Sequence, residues 1–299
     1  MARFHAGEIE MQERAGVRGM AERVGGGIRA FMPPAAQEFL LAQPFVVVAG
    51  KDSDGRVWAS LLSGEPGFAH ALDEGTLLLD VPLPEGDPLR ESLQKGSLVG
   101  MIALEPATRR RMRLNGTAHA QNDGLIIETR EVYSNCPKYI QKRAWHWDTG
   151  SDATPGDVRS GTSLEAEQAA FIAGSDTFFI ASCAEGGADA SHRGGSPGFV
   201  RVVSPDLLQF PDYTGNAMFN TLGNLQRDGR AGLLFIDWRS GMTLQLAGRA
   251  RVLWGADAAA WPGAERAVEF RIEAVVERQG ATALRWDFLE ASPFNPPLQ

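Results

Sequence analysis

The chain has 299 residues, 43% of them hydrophobic and 22% charged, enough apolar material for two ordinary domains of a globular protein. A net charge of −8 excludes a general nucleic-acid surface, which needs clustered lysine and arginine, but not a small anionic ligand. The two cysteines, Cys136 and Cys183, form no CxxC and no metal-ligand set; no signal-peptide core and no run of about 20 apolar residues is present, so a cytoplasmic protein without a metal or membrane partner is expected.

Residues 1–34 are polar and glycine-rich, and Ile9, Met11, Val17 and Met20 predict a short helix in an N-terminal arm that covers a surface. A helix is expected over 35–42, stopped before Pro44. Strands follow at 45–49, 57–62, 76–81, 98–104, 109–120 and 125–132, with a short helix over 88–95. The strand from Arg109 has a polar, basic start. Asn135-Cys136-Pro137 has the form of a helix start, with a cap and a first-turn proline, and predicts a helix through Arg143. After Trp147 the composition becomes that of a linker. Thr162 and Glu165 form a capping-box pattern for a helix through Phe171. Further strands are expected at 177–183, 230–238, 243–253 and 267–278, and a proline-rich tail, loose or docked, from Ser292. Strands this frequent, separated by Gly and Asp turns, point to a mainly β chain of barrels with short helices.

The second half repeats the first. Ala59-Ser60 and Gly64-Glu65-Pro66-Gly67-Phe68 return as Ala190-Ser191 and Gly195-Ser196-Pro197-Gly198-Phe199, displaced by 131 positions. Leu114-Asn115-Gly116-Thr117-Ala118 returns as Leu246-Ala247-Gly248-Arg249-Ala250, displaced by 132. Two matches in the same order imply an internal repeat. The expected division is an arm over 1–34, a first barrel over 35–147, a linker over 148–161 and a second barrel over 162–299. The copies differ where chemistry would sit: His192 and Arg193 correspond to Leu61 and Leu62. Two leucines cannot hold an anion, so the second barrel is expected to carry the site and the first to buttress it.

Arg193 offers a permanent charge with donors in a fixed fork, suited to a phosphate. Asn216 stands where a helix is expected to begin, and free N–H groups there favour an anion. His192 is read as a structural or exposed histidine, with an acid or base role, from its near-neutral pKa, the alternative. Cys136 is read chiefly as a small residue at a helix start.

The segments Asp189-Ala190-Ser191-His192-Arg193-Gly194-Gly195, Pro197-Gly198-Phe199-Val200-Arg201-Val202, Phe210-Pro211-Asp212, Gly215-Asn216, Phe219-Asn220-Thr221-Leu222-Gly223-Asn224 and Gly232-Leu233-Leu234-Phe235 resemble the FMN-binding split β-barrels of the pyridoxamine 5′-phosphate oxidase superfamily. Phe4-His5-Ala6-Gly7-Glu8 and Asn135-Cys136-Pro137-Lys138-Tyr139-Ile140-Gln141 extend the resemblance to its two-barrel flavin-nucleotide-binding members. The resemblance implies tandem split barrels, FMN as cofactor, and redox chemistry on a small organic substrate with a nicotinamide donor or oxygen as second partner. A non-catalytic module for FMN, haem or another tetrapyrrole is the alternative. The implied cofactor-binding residues are Ser191, His192 and Arg193, the strand end Pro211-Asp212-Tyr213, and Asn216 and Asn220. Ala217 and Met218 stand where the oxidases have basic phosphate-binding residues. Lys138, on the expected interdomain helix, is a candidate to supply that charge. Split barrels of this family pair, which implies a homodimer or, in a tandem chain, two barrels paired within one molecule. The second arrangement is expected here.

Overall fold

The computed structural model describes residues 4–148, 156–258 and 260–297. Strands β1 (Phe45–Lys51), β2 (Val57–Ser63), β3 (Ala69–Ala71), β4 (Thr76–Leu79), β5 (Ser97–Glu105), β6 (Arg110–Gln121) and β7 (Gly124–Ser134) form one antiparallel sheet in the order β2-β1-β5-β6-β7-β4-β3. After β8 (Lys142–Trp147) and β9 (Val158–Gly161) come β10 (Thr177–Ala184), β11 (Gly187–Gly194), β12 (Arg201–Ser204), β13 (Leu207–Tyr213), β14 (Arg230–Ile236), β15 (Thr243–Leu253), β16 (Ala264–Arg278) and β17 (Leu284–Glu290). Strands β10 to β16 form a second sheet in the order β11-β10-β14-β15-β16-β13-β12, the order of the first sheet strand for strand. The protein is mainly β, with the sheet topology of split barrels.

Strand β1 reads Phe-Val-Val-Val-Ala because both its faces are buried. Val46 and Val48 point into the first barrel, and Phe45, Val47 and Ala49 into a core shared by the two barrels. Strand β10 alternates likewise: Phe178 and Ile180 fill the second barrel, Phe179, Ala181 and Cys183 the shared core. Glycine allows the sheets to cross closely. A Cβ on Gly100 of β5 would lie 2.5 Å from the Asp189 Cα of β11, and one on Gly232 of β14 would lie 2.6 Å from the Trp58 Cα of β2. The two contacts are reciprocal: β5 meets β11, and β14, which holds the same place in its sheet as β5, meets β2.

The helices are α1 (Ala6–Arg14), α2 (Arg18–Gly25), α3 (Pro34–Leu41), α4 (Arg90–Gln94), α5 (Ala166–Gly174) and α6 (Asn220–Arg227). The arm carries two helices rather than one, broken at Gly16, whose φ is +69°. The capping box of α5 is Glu165 with Gln168, not Thr162 with Glu165. Helix α6 begins at Asn220, four positions after Asn216, behind a left-handed Phe219 with φ 64°.

The helix expected from Asn135 to Arg143 does not form. Residues 135–141 run without regular structure, Tyr139 has φ 66°, and β8 begins at Lys142. Strand β8 pairs with β17 near the chain end, a partner that local cap signals cannot reveal. The expected linker supplies β9, which pairs with β16; residues 149–155 of it lie outside the described residues. The described part of the tail is docked: Ser292 N donates to Gln141 Oε1 at 2.7 Å.

Candidate functional site

A cleft lies between the barrels at the C-terminal ends of β11 and β13. Alternation along β11 decides what faces it. Ala188 and Ala190 enter the shared core; His192, 2% exposed, lies at the margin of that face with its ring edge-on to Phe179 at 5.8 Å. Asp189, Ser191 and Arg193 point the other way. Beyond Arg193 the glycines are enforced by contact: a Cβ on Gly194 would lie 2.0 Å from the Tyr139 carbonyl oxygen, and one on Gly195 2.6 Å from the Phe199 ring. The 135–141 segment therefore does reach the cleft, as a loop that turns at Lys138–Tyr139, with Asn135, Cys136 and Tyr139 lining it.

Strand β13 ends in Pro211, Asp212 and Tyr213, all buried and all lining the cleft. The loop to α6 forms its rim. Asn216 Oδ1 accepts from Met218 N at 3.1 Å, and Ala217 and Phe219 are both left-handed. The arm closes the far side: Val17 and Met20 line the cleft, and α1 crosses α6 glycine to glycine, at Gly7 and Gly223. His5 caps α1 and its Nε2 lies 2.9 Å from Asn224 Oδ1; Glu8 accepts from Asn220 Nδ2 at 2.6 Å.

Four guanidiniums face this space: Arg111 and Arg113 from β6 of the first barrel, Arg193 from β11 and Arg266 from β16. Two are neutralised. Arg113 donates to Asp189 at 3.0 Å, and Arg266 donates to Asp212 at 2.9 Å with its plane over Phe219. Two have no such partner among the described residues. Arg193 reaches Asp212 only at 3.9 Å. Arg111 donates to His192 Nδ1 at 2.8 Å and lies 3.9 Å from Cys136 Sγ, with its Nε buried and without a partner. Burial, reinforced by Arg113 and Arg193, pushes Arg111 down to about 10, low for a guanidinium; burial also lowers Arg193, partly offset by Asp212.

His192 is held well below its ordinary pKa, first by burial and then by the surrounding arginines, so it is neutral at pH 7. Arginine can only donate, so His192 Nδ1 accepts and the proton sits on Nε2. That Nε2–H is buried without a partner among the described residues, as is the Tyr213 hydroxyl, and both residues line the cleft. His192 is therefore a hydrogen-bond donor there rather than an acid or base. Buried polar atoms left unpaired cost about 1–3 kcal/mol each, and an acceptor-rich ligand would offset that cost.

Of the residues expected at the site, His192, Arg193, Pro211, Asp212, Tyr213, Asn216 and Asn220 line the cleft. Ser191 lies behind it: its hydroxyl is buried and bonds Asp189 and Thr221 at 3.2 and 2.8 Å. The amide of Asn220 is largely spent on Glu8 and Arg113. Lys138 does not line the cleft; its ammonium lies 5.7 Å from the Phe294 ring centre. Nor do Lys142 and Arg143 supply the missing charge, since they pair with Glu290 and Asp176. The charge missing at Ala217 and Met218 comes from Arg111, with Arg113 beside it neutralised by Asp189; the basic opening of β6 is the signal in the sequence.

Residues 164–293 match the family model described as pyridoxamine 5′-phosphate oxidase, a span that contains β10 to β16. No curated protein matches the chain. Among solved structures, a FAD-binding protein from Mesorhizobium loti is 14% identical, over 40% of this chain and 97% of its own, with a TM-score of 0.29. The FAD-binding protein of Mycobacterium smegmatis is 12% identical, over 40% and 98%, with a TM-score of 0.29. A Clostridium acetobutylicum protein related to general stress protein 26, of the pyridoxinephosphate oxidase family, is 13% identical, over 40% and 89%, with a TM-score of 0.28.

Proposed function

We propose, for a chain whose residues 164–293 are of the pyridoxamine 5′-phosphate oxidase-like split-barrel family, that the inter-barrel cleft binds FMN and that the protein is a flavin-dependent oxidoreductase. The observation that carries the reading is the pair of arginines, Arg193 and Arg111, that face the cleft without a hydrogen-bonded carboxylate. A phosphate dianion suits them. The residues fit the group in a second way: His192 Nε2–H and the Tyr213 hydroxyl are buried donors in want of an acceptor, and a flavin ring has carbonyl and nitrogen acceptors.

A bound flavin supplies two-electron redox chemistry. The chain binds and orients. Arg193 and Arg111 hold negative charge, Asp212 keeps Arg266 turned to the β13 side, and Val17, Met20 and the 135–141 segment restrict water. Neutral His192 keeps its proton on Nε2 as a donor. The substrate is a small organic molecule, with a nicotinamide or oxygen as the second redox partner.

We further propose that the two sheets are copies of one unit and that only one of two equivalent sites survives. At the other site Ser60 stands for Ser191 and Gln245 for Arg113. Gln245 donates to Ala59 O at 2.9 Å and Ser60 Oγ at 3.0 Å, and Ser60 donates to Asp87 at 2.7 Å. Those groups satisfy each other and fill the space.

The test is the absorbance spectrum of the purified protein, then FMN titration by fluorescence quenching of the wild type and Arg193→Ala. Flavin bands without a Soret band are expected, and Arg193→Ala should weaken FMN by about 1.5–3 kcal/mol, the scale of a hydrogen bond to a charged group. A Soret band would transfer the cleft to a tetrapyrrole. A colourless protein that takes up no FMN would end the flavin reading.

A further inference from the structure

A second cavity, of about 570 Å³, opens on the outer side of the first barrel between the arm and β6 and β7. Its floor is apolar: Phe39 of α3, Met112 of β6 and Val132 of β7, the last two buried. Its polar wall holds Arg29, Arg109, Arg110 and Arg111, and no carboxylate among the described residues lines it. Arg109 and Arg110 pair with Glu290 and Glu105 outside the lining. Arg29 lies over the Phe31 ring, and Arg111 has no carboxylate.

The inner end of this cavity is the wall it shares with the cleft, Arg111 and Asn135. The nitrogen and oxygen of the Asn135 side-chain amide are shielded from solvent without a partner among the described residues, and so is Arg111 Nε. A pocket of a few hundred Å³, apolar along its length and with convergent polar groups at one end, is the usual form of a small-molecule site.

We propose that this cavity binds a small organic acid with an apolar body. The carboxylate lies at the Arg111–Asn135 wall, where those shielded donors must turn to meet it, and the body lies on Phe39, Met112 and Val132. Arg29 at the mouth, which has no carboxylate partner among the described residues, favours an anion over a neutral analogue. The cavity shares Arg111 and Asn135 with the cleft, but the inference does not require a flavin there.

The experiment is a titration of the full chain with 8-anilino-1-naphthalenesulfonate, followed by displacement with octanoate and with octanol. One saturable site is expected, displaced by octanoate at a concentration at least tenfold below that needed for octanol. Ala36→Trp, which fills the cavity, should weaken the probe at least tenfold and leave FMN titration unchanged. Arg29→Glu, on the exposed rim, should do the same and serves if Ala36→Trp does not fold. Absence of a saturable site, equal displacement by octanol, or wild-type probe affinity in the folded variants would each overturn the proposal. Octanoate binding in a chain that takes up no FMN would overturn the flavin reading alone.

Discussion

Arg111 is a half-buried cation whose side-chain hydrogen-bond partners are a histidine and a thiol. Such a residue costs stability unless something else is gained, as at many binding sites. Arg111→Met is therefore expected to weaken FMN by tenfold or more while leaving the melting temperature unchanged or raised. Arg113→Met is expected to behave differently, because it strands the buried Asp189 and costs about 3–5 kcal/mol. Paired melts and FMN titrations separate the two; equal destabilisation by both would make Arg111 a structural residue. Glu8 gives a pH dependence. Burial raises its carboxyl to about 7 against hydrogen bonds from His5 N and Asn220. The folded state thus binds the proton more tightly than the unfolded chain. Glu8's contribution is complete below its ordinary pKa and is lost as pH rises toward 7, by up to about 3 kcal/mol. His5, lowered by burial, acts in the opposite sense as pH falls. Glu8→Gln should consequently gain stability over the wild type at pH 8 and gain none at pH 4. A wild-type-minus-variant difference that is flat across pH 4–8 would remove Glu8 as the cause.

At the scale of elements, the arm depends on one helix crossing. A Cβ on Gly223 of α6 would lie 2.7 Å from the backbone nitrogen of Glu8, so α1 must lift if any side chain is added. Gly223→Ala is expected to cost about 1–3 kcal/mol, the range for overpacking. It should also expose the arm to protease and weaken FMN, since Val17 and Met20 are carried on that arm. Gly174→Ala, where an added Cβ meets nothing within 4 Å, is the control. If the two variants melted together and resisted protease equally, the crossing would not be what holds the arm.

At the scale of the molecule, neither barrel completes the cleft. The second supplies Arg193, Asp212 and Tyr213; the first supplies Arg111, Arg113 and Cys136. The reciprocal crossings at Gly100 and Gly232 fix this juxtaposition within one chain. At the equivalent site the leucines Leu61 and Leu62 are buried and Gln245 is engaged by Ser60 and Asp87. One FMN per chain is therefore expected at saturation, from flavin absorbance against protein mass. Two per chain would mean that the Ser60–Asp87–Gln245 network opens and the sites are equivalent.

The sequence by itself determined what depends on local pattern. The buried run Phe45–Ala49, the strand Thr177–Cys183, the alternation over 267–278 and the fixed charge of Arg193 were legible in it; Asp212 and Tyr213 came only through the family resemblance. The difference between the leucine pair and His192-Arg193 was legible too. Tertiary structure decided what depends on distant partners. The cap-like Asn135-Cys136-Pro137 did not start a helix, because β17 captures the chain at Lys142 and the Tyr139 carbonyl packs on Gly194. Ser191 turned inward because Asp189 and Thr221 accept its company behind the strand. Arg111 and Arg113 became site residues only when β6 met β11, some 80 positions later in the chain. A strand's period says which side chains share a face; it carries no record of which other strand that face will meet.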